Sequence, residues 1–344
     1  MCIVGAGAIG GLIGVRLGVA GHDVSVLARG DNLFAIQQHG LVLIEPDGSQ
    51  LVAAEVNASD AVARLGLQDL IVLAVKAHQL SDVAEDLPCL YDAETMVVPL
   101  QNGIPWWFFQ RFPGPFEGHR IESLDPDGRL ERCIPSGRIV GSIAYPAAER
   151  EAPGVIRRVE GDRFPVGELD GDRSARAAMI AEVFTQAGLK SKVVTDLRGH
   201  VWIKAWGNLA FNPISALTAS TLDAICAFPP TRALAGQMMR EAAAIAEKLG
   251  LRLRLSVDQR IDGAERVGPH KTSMLQDVEA GRALEVEALV GSFVELARLT
   301  DTPVPTIEVV YSLVSLLNDR LARLLQGTVP SAAEVTQLAA SPGP

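Results

Sequence analysis

The chain has 344 residues, 48% of them apolar and 21% charged, with a formal net charge of −10 at pH 7. That length supplies apolar surface for two sizeable cores, and the acidic balance argues against a nucleic-acid partner, which would need a basic face. The cysteines Cys2, Cys89, Cys133 and Cys226 are scattered, with no C-x-x-C or histidine spacing, so they read as reduced thiols of a cytoplasmic protein and neither as a disulfide frame nor as a metal site.

Taken in order, the chain opens on a brief apolar run, residues 1–4, followed by Gly5-Ala6-Gly7-Ala8-Ile9-Gly10. The pattern is G-x-G-x-x-G between a strand and a helical stretch, 8–20. Gly5 turns tightly out of the strand, Gly7 lets backbone approach a pyrophosphate, and Gly10 lets helix and strand close up. The free N–H groups and positive end of the helix favour phosphate there. Only four residues precede Gly5, so the first strand is either very short or clipped. A signal peptide is the bland alternative, but Arg16 interrupts the apolar stretch and the start is not basic. No segment reaches the roughly 18–20 apolar residues of a membrane span.

Residues 23–28 read as the next strand, which ends in Leu27-Ala28-Arg29-Gly30-Asp31. An acid at this strand end holds the 2′-hydroxyl of NAD, whereas an arginine accommodates the 2′-phosphate of NADP. Arg29 therefore favours NADP(H), although Asp31 could reach the ribose or neutralise Arg29. Residues 41–44 and 51–56 read as short strands outside the main sheet. The apolar runs 70–75 and 96–100 suit parallel strands buried on both faces. They lead into Lys76-Ala77-His78-Gln79 and Gln101-Asn102-Gly103, beyond the carboxyl ends of the strands, where ligands of open α/β sheets sit. Lys76, Gln79 and Asn102 are the candidates there. A turn residue and surface side chains are the bland alternative. Residues 138–144, 155–159, 164–167 and 191–194 read as later strands, and 174–187 as an amphipathic helix.

Near residue 195 strand patterns give way to helical ones over 197–212, 232–249, 284–299 and 306–325. The expected architecture is α/β: a doubly wound nucleotide-binding domain over 1–195, an all-α domain over 196–326, and a frayed tail over 327–344. In the first long helix Lys204, Asn208 and Asn212 recur every four residues, drifting only about 40° per step, and so share one face. Pro213 should end or bend the helix at Asn212. Polar groups in so apolar a helix must find partners or cost on the order of 1–3 kcal/mol each. Buried structural asparagines and a snorkelling lysine would satisfy this as well as a ligand would. Ser273 and Glu285 have ordinary explanations too, as a helix cap and as an acid at a helix start.

The blocks GAGAIGG, LAR, VKAHQ, LQNG, WIKAWGNLAFNPISALT and KTSMLQDVEAGRALEVEALVG run in order from Gly5 to Gly291. Together they resemble the ketopantoate reductase family (2-dehydropantoate 2-reductases). The resemblance implies an N-terminal Rossmann domain binding NADP(H), a helical C-terminal domain, and reduction of a small 2-keto acid in the cleft between them. It implies that Lys204 is the catalytic lysine and Glu285 its acidic partner. Asn208, Asn212 and Ser273 would hold the substrate's carboxylate and hydroxyl groups. Lys76 and Asn102 would lie near the nicotinamide and its ribose, and Arg29 on the 2′-phosphate.

One stretch departs from the family pattern. Residues 105–135, with Trp106 and Trp107, are longer than the usual link. They could shape the pocket mouth or form a hairpin over a sheet edge. A different 2-keto acid as substrate, and a non-catalytic NADP-binding sensor or scaffold, are the competing readings. The amphipathic helices leave a homodimer open.

Overall fold

The computed structural model describes residues 1–326, so the tail expected at 327–344 lies outside the described residues. The chain divides into two compact units, Met1–Val201 and a second that begins at Trp202.

The first unit runs β1 (Cys2–Val4), α1 (Ala8–Val19), β2 (Val24–Leu27), α2 (Gly30–His39), β3 (Leu41–Ile44), β4 (Gln50–Ala53), β5 (Val56–Ser59), β6 (Leu70–Leu73), α3 (Ser81–Ala84) and β7 (Met96–Pro99). It continues through α4 (Arg129–Cys133), β8 (Gly141–Ser142), β9 (Ala147–Ala152), β10 (Val155–Glu160), β11 (Val166–Gly167) and α5 (Ala175–Gln186). The main sheet has the order β5-β2-β1-β6-β7, and every neighbouring pair is parallel. Its central strands β1, β2 and β6 are buried along their whole length, as continuous apolar runs require. The direction of winding switches between β1 and β6, and a doubly wound sheet binds its ligand in the crevice at that point.

A second sheet, β4-β3-β10-β9, contacts α1 from the other side. Part of the glycine richness of α1 belongs to this contact. A Cβ on Gly11 would strike Ile156, and one on Gly18 would lie 2.7 Å from Ala53 Cβ. The run 51–56, expected as one strand, is two: β4 pairs antiparallel with β3, while β5 joins β2 in the main sheet. Strand β9 was not expected, because Ala-Glu-Arg-Glu carries no apolar face and its last four residues are exposed. Of the strand expected over 138–144 only β8 forms, and 191–194 contributes an isolated bridge, Val166↔Val193.

The segment 105–135 forms no hairpin. It contains α4 and turns, and its indoles are internal: Trp106 is 4% exposed and Trp107 1%. Phe108 and Phe109 stack edge-on at 5.2 Å, and His119 meets Phe109 at 5.5 Å. Arg198 donates to the carbonyls of Phe108 and Gln110, both at 2.7 Å, and to that of Leu169. Burial pulls its pKa down to about 10, which leaves it cationic at neutral pH. The aromatic run closes a local core.

Arg198 sits at the start of α6 (Leu197–Thr218), so this helix begins in the first unit and the division falls inside it, after Val201. Of the two outcomes expected at Asn212, an end or a bend, the end does not occur. The helix passes through Pro213 to Thr218. A mid-helix proline costs about 3 kcal/mol, and here Phe211, Ile214 and Ala216 are all buried around it, so packing offsets the loss.

The second unit adds α7 (Leu222–Ala227), α8 (Pro229–Lys248), α9 (Val257–Glu265), α10 (Ser273–Glu279), α11 (Ser292–Leu299) and α12 (Pro305–Leu325). The buried carboxylate of Glu241 on α8 accepts the backbone N–H groups of Thr306 at 3.1 Å and Ile307 at 3.0 Å. It thereby caps α12, whose own N-cap residue, Val304, offers no side-chain acceptor. Glu241→Ala should destabilise the helical unit by about 1–3 kcal/mol, and Glu241→Gln by less, because the amide oxygen still accepts one of the two N–H groups. Denaturant midpoints would show this; equal losses in the two variants would contradict the capping account.

Candidate active site

Gly5 follows β1 with φ +103°, and a Cβ there would lie 2.7 Å from the Val75 side chain and 2.8 Å from its backbone nitrogen. Glycine is required twice over, by conformation and by the approach of the chain leaving β6. Gly10 is needed against Gly5 O and Ala74. Gly7 differs: its φ of −77° suits any residue, and a Cβ on it would meet no atom within 4 Å. Nothing in the protein calls for glycine there, and no side chain caps α1. Open room over uncapped N–H groups at Ala8, Ile9 and Gly10 fits a pyrophosphate. Asn32, on α2, secures this turn by donating to Ala6 O at 2.9 Å and accepting from Gly154 N at 2.8 Å. Sequence reading missed it, because nothing local signals either partner.

Arg29 occupies the N-cap position of α2 and is exposed. Its side chain makes no hydrogen bond or ion pair with any described residue, Asp31 included. The neutralisation by Asp31 considered from sequence therefore does not occur. Asp31 lies in the first turn of α2, where the dipole favours an acid.

Lys76 follows β6 and is half-buried. Gln79 is exposed; its Oε1 accepts the Lys76 N–H at 3.4 Å, and its N–H donates to Lys76 O at 2.9 Å. Gln79 thus shapes the turn that presents Lys76. Asn102 follows β7, before the left-handed Gly103 at φ +85°. Gln101, unnoticed in the sequence, donates from Nε2 to Leu73 O and Val75 O, both at 3.0 Å. It ties the ends of β6 and β7 together, and with them the loops that carry Lys76 and Asn102. A glutamine wedged between a buried strand and Asn-Gly was the available signal.

In the second unit, Lys204, Asn208 and Asn212 line one face of α6. Asn212, 5% exposed, donates to Ser273 Oγ at 3.4 Å, which brings two of the expected substrate residues together. Ser273 is the first residue of α10 and is exposed; the cap is Thr272, which accepts from Leu275 N at 3.2 Å. Lys204 keeps some solvent access, yet the protein around its ammonium lowers its pKa from 10.5 to about 8. Burial is the larger cause, and the carboxylate of Glu285 opposes it. Glu285 is 8% exposed. A buried acid and a desolvated ammonium that feel each other's charge form an acid–base pair suited to moving one proton near neutral pH. Arg260 on α9 lies against α6 where a side chain on Gly207 would go, a reason for glycine inside that helix.

Among the described residues no three of His, Cys, Asp and Glu gather as a metal site, and no helix is long and apolar enough to cross a membrane. A parallel sheet with a glycine-rich turn at its switch point, and a helical unit with a buried lysine and carboxylate beside two asparagines, are the parts of a dinucleotide-dependent oxidoreductase. Two family profiles match the chain: "Ketopantoate reductase PanE/ApbA" over residues 1–171 and "Ketopantoate reductase PanE/ApbA C terminal" over 196–318. The 2-dehydropantoate 2-reductase of Mesorhizobium japonicum is 52% identical over 91% of this chain and 95% of its own length. The crystal structure of 2-dehydropantoate 2-reductase from Geobacter metallireducens shares 26% identity and superimposes with a TM-score of 0.80, covering 92% of this chain and 99% of its own. D-mandelate dehydrogenase bound to NADH and anilino(oxo)acetate, at 22% identity and TM-score 0.79 over 94% of this chain and 100% of its own, shares the fold. The chain belongs to the ketopantoate reductase family.

Proposed function

We propose that this protein reduces 2-dehydropantoate (ketopantoate) to pantoate with NADPH, Lys204 acting as general acid. The observation that carries the reading is the Lys204–Glu285 pair, with a lysine pKa of about 8, in a chain 52% identical to a 2-dehydropantoate 2-reductase.

The turn Gly5-Ala6-Gly7-Ala8-Ile9-Gly10 would hold the pyrophosphate, Arg29 the 2′-phosphate, and Lys76 and Asn102 the nicotinamide and its ribose. Gln79 would serve by shaping the Lys76 turn. When bound, the cofactor supplies the hydride that the 2-keto carbon receives. The Lys204 ammonium stabilises the negative charge that grows on the carbonyl oxygen and gives that oxygen its proton. Glu285 keeps Lys204 protonated and accepts a hydrogen bond from the new hydroxyl. Asn208, Asn212 and Ser273 hold the substrate's carboxylate and hydroxyl groups. The protein works in the cytoplasm on a soluble small molecule, and a homodimer could build on the exposed Val309, Leu313 and Leu316 of α12.

The test is NADPH oxidation by the purified protein across a panel of 2-keto acids. Ketopantoate should lead in kcat/KM by at least about tenfold, on the order of 1.4 kcal/mol of transition-state binding. A different leading acid would overturn the substrate assignment. NADPH binding without turnover of any acid would make the protein a sensor.

A further inference from the structure

Glu285 has no strand or helix around its approach: residues 282–285 are irregular, and helix begins only at Val286. The Glu285 carbonyl accepts the Leu289 N–H at 3.1 Å, and α12 holds the chain on either side of it. Asn318 accepts the Leu284 N–H on its Oδ1 at 2.8 Å. Tyr311 donates its hydroxyl to the Glu287 carboxylate, at 2.9 and 3.1 Å from its two oxygens. Tyr311 and Asn318 are seven residues apart, so they stand within about 20° of each other on one face of α12. Glu285 lies between the two points they hold.

The local backbone is unusual as well. Glu287–Gly291 is a π-helical turn leading into α11, and such turns are frequent at functional sites. A Cβ on Gly291 would collide with Glu287 Oε2, so the Glu287 carboxylate lies against the helix wall. Two acids stand two residues apart, yet Glu287 is exposed and engaged by Tyr311, while Glu285 is buried and in electrostatic contact with Lys204.

We propose that Asn318 is a positioning residue for the reaction: through Leu284 it sets the point at which the chain enters the π turn, and so aims the Glu285 carboxylate at Lys204. Tyr311 completes the grip by holding Glu287 outward. The proposal rests on the reading of Lys204 and Glu285 given above.

The experiment compares Asn318→Ala, Asn318→Leu and Asn318→Asp with Glu285→Gln and Lys204→Ala, measuring kcat, KM, NADPH affinity by fluorescence titration, thermal midpoint and the pH profile of kcat. Leucine keeps the volume without the acceptor, and so covers the case in which alanine fails to fold. Aspartate keeps an acceptor oxygen for the Leu284 N–H. In Asn318→Leu, kcat should fall by about 10–100-fold, the scale of a 1 Å misplacement in an active site, with NADPH affinity unchanged. The alkaline limb should move to lower pH, as in Glu285→Gln, a shift that a merely structural defect would not produce. Asn318→Asp should recover most of kcat. A normal kcat in Asn318→Leu beside an impaired Glu285→Gln would overturn the proposal alone. Full activity in Glu285→Gln and Lys204→Ala would instead overturn the catalytic reading, and the proposal with it.

Discussion

Lys204→Ala is expected to lower kcat for keto-acid reduction by about 10²–10⁴-fold, the usual contribution of a positioned acid, and to leave NADPH binding intact. The cofactor turn lies in the first unit, and Lys204 lies in the second, so the two effects should separate. A purely structural lysine would behave otherwise, because its loss would weaken folding. Here the sign runs the other way. Lys204 has a folded pKa of about 8 against 10.5 in the unfolded chain. Below pH 8 both states hold the proton, and the buried ammonium weighs against the fold. Between about 8 and 10.5 the unfolded chain holds more protons at this site, so stability rises with pH in that window. Losing the ammonium itself therefore costs no stability at neutral pH; any loss in Lys204→Ala comes from the Glu285 carboxylate left without its counter-charge. The pH profile follows from the same value. As general acid Lys204 must be protonated, so reduction should decline as pH rises through about 8. Glu285→Gln removes the carboxylate that raises this pKa, and the decline should then begin at lower pH. An unmoved alkaline limb in Glu285→Gln would show that the pair is not coupled as described.

Arg29→Ala is expected to weaken NADPH binding by about 10–100-fold, the range of a hydrogen bond to a charged group, with NADH affinity nearly unchanged. The reason is geometric: the guanidinium is exposed at the N-cap of α2 and commits to no described residue, Asp31 included. It is thus available to a 2′-phosphate, a group that NADH lacks. The effect should shrink at high salt, since it is electrostatic and exposed. Titration of the two cofactors against parent and variant decides it. Equal weakening of both would remove Arg29 from the phosphate and return it to the solvated surface.

The glycine turn and the buried runs of β1, β2, β6 and β7 were readable because each is local: its residues carry both the strand and the reason for it. Lys204, Asn208 and Asn212 were readable for the same reason, as a period of four on one apolar helix. Long-range decisions were not. Residues 51–56 look like one strand, and only the partners β3 and β2 split them between two sheets. Strand β9 is polar and edge-exposed, so it has no pattern to find. Pro213 says stop locally, and the packing around it overrules that. Residues 105–135 read equally as a pocket mouth or a hairpin, and the burial of Trp106 and Trp107 became visible only with the fold that encloses them. Asn32, Gln101 and Asn318 act on backbone 26, 26–28 and 34 residues away respectively, and no short motif encodes such a reach.

The most direct test of the account is NADPH consumption with ketopantoate by the parent protein and by Lys204→Ala, at matched and measured cofactor occupancy. The account predicts steady turnover by the parent and a rate at least about a hundredfold lower in the variant. A parent that binds NADPH without consuming it, or a variant that consumes it equally well, would contradict it.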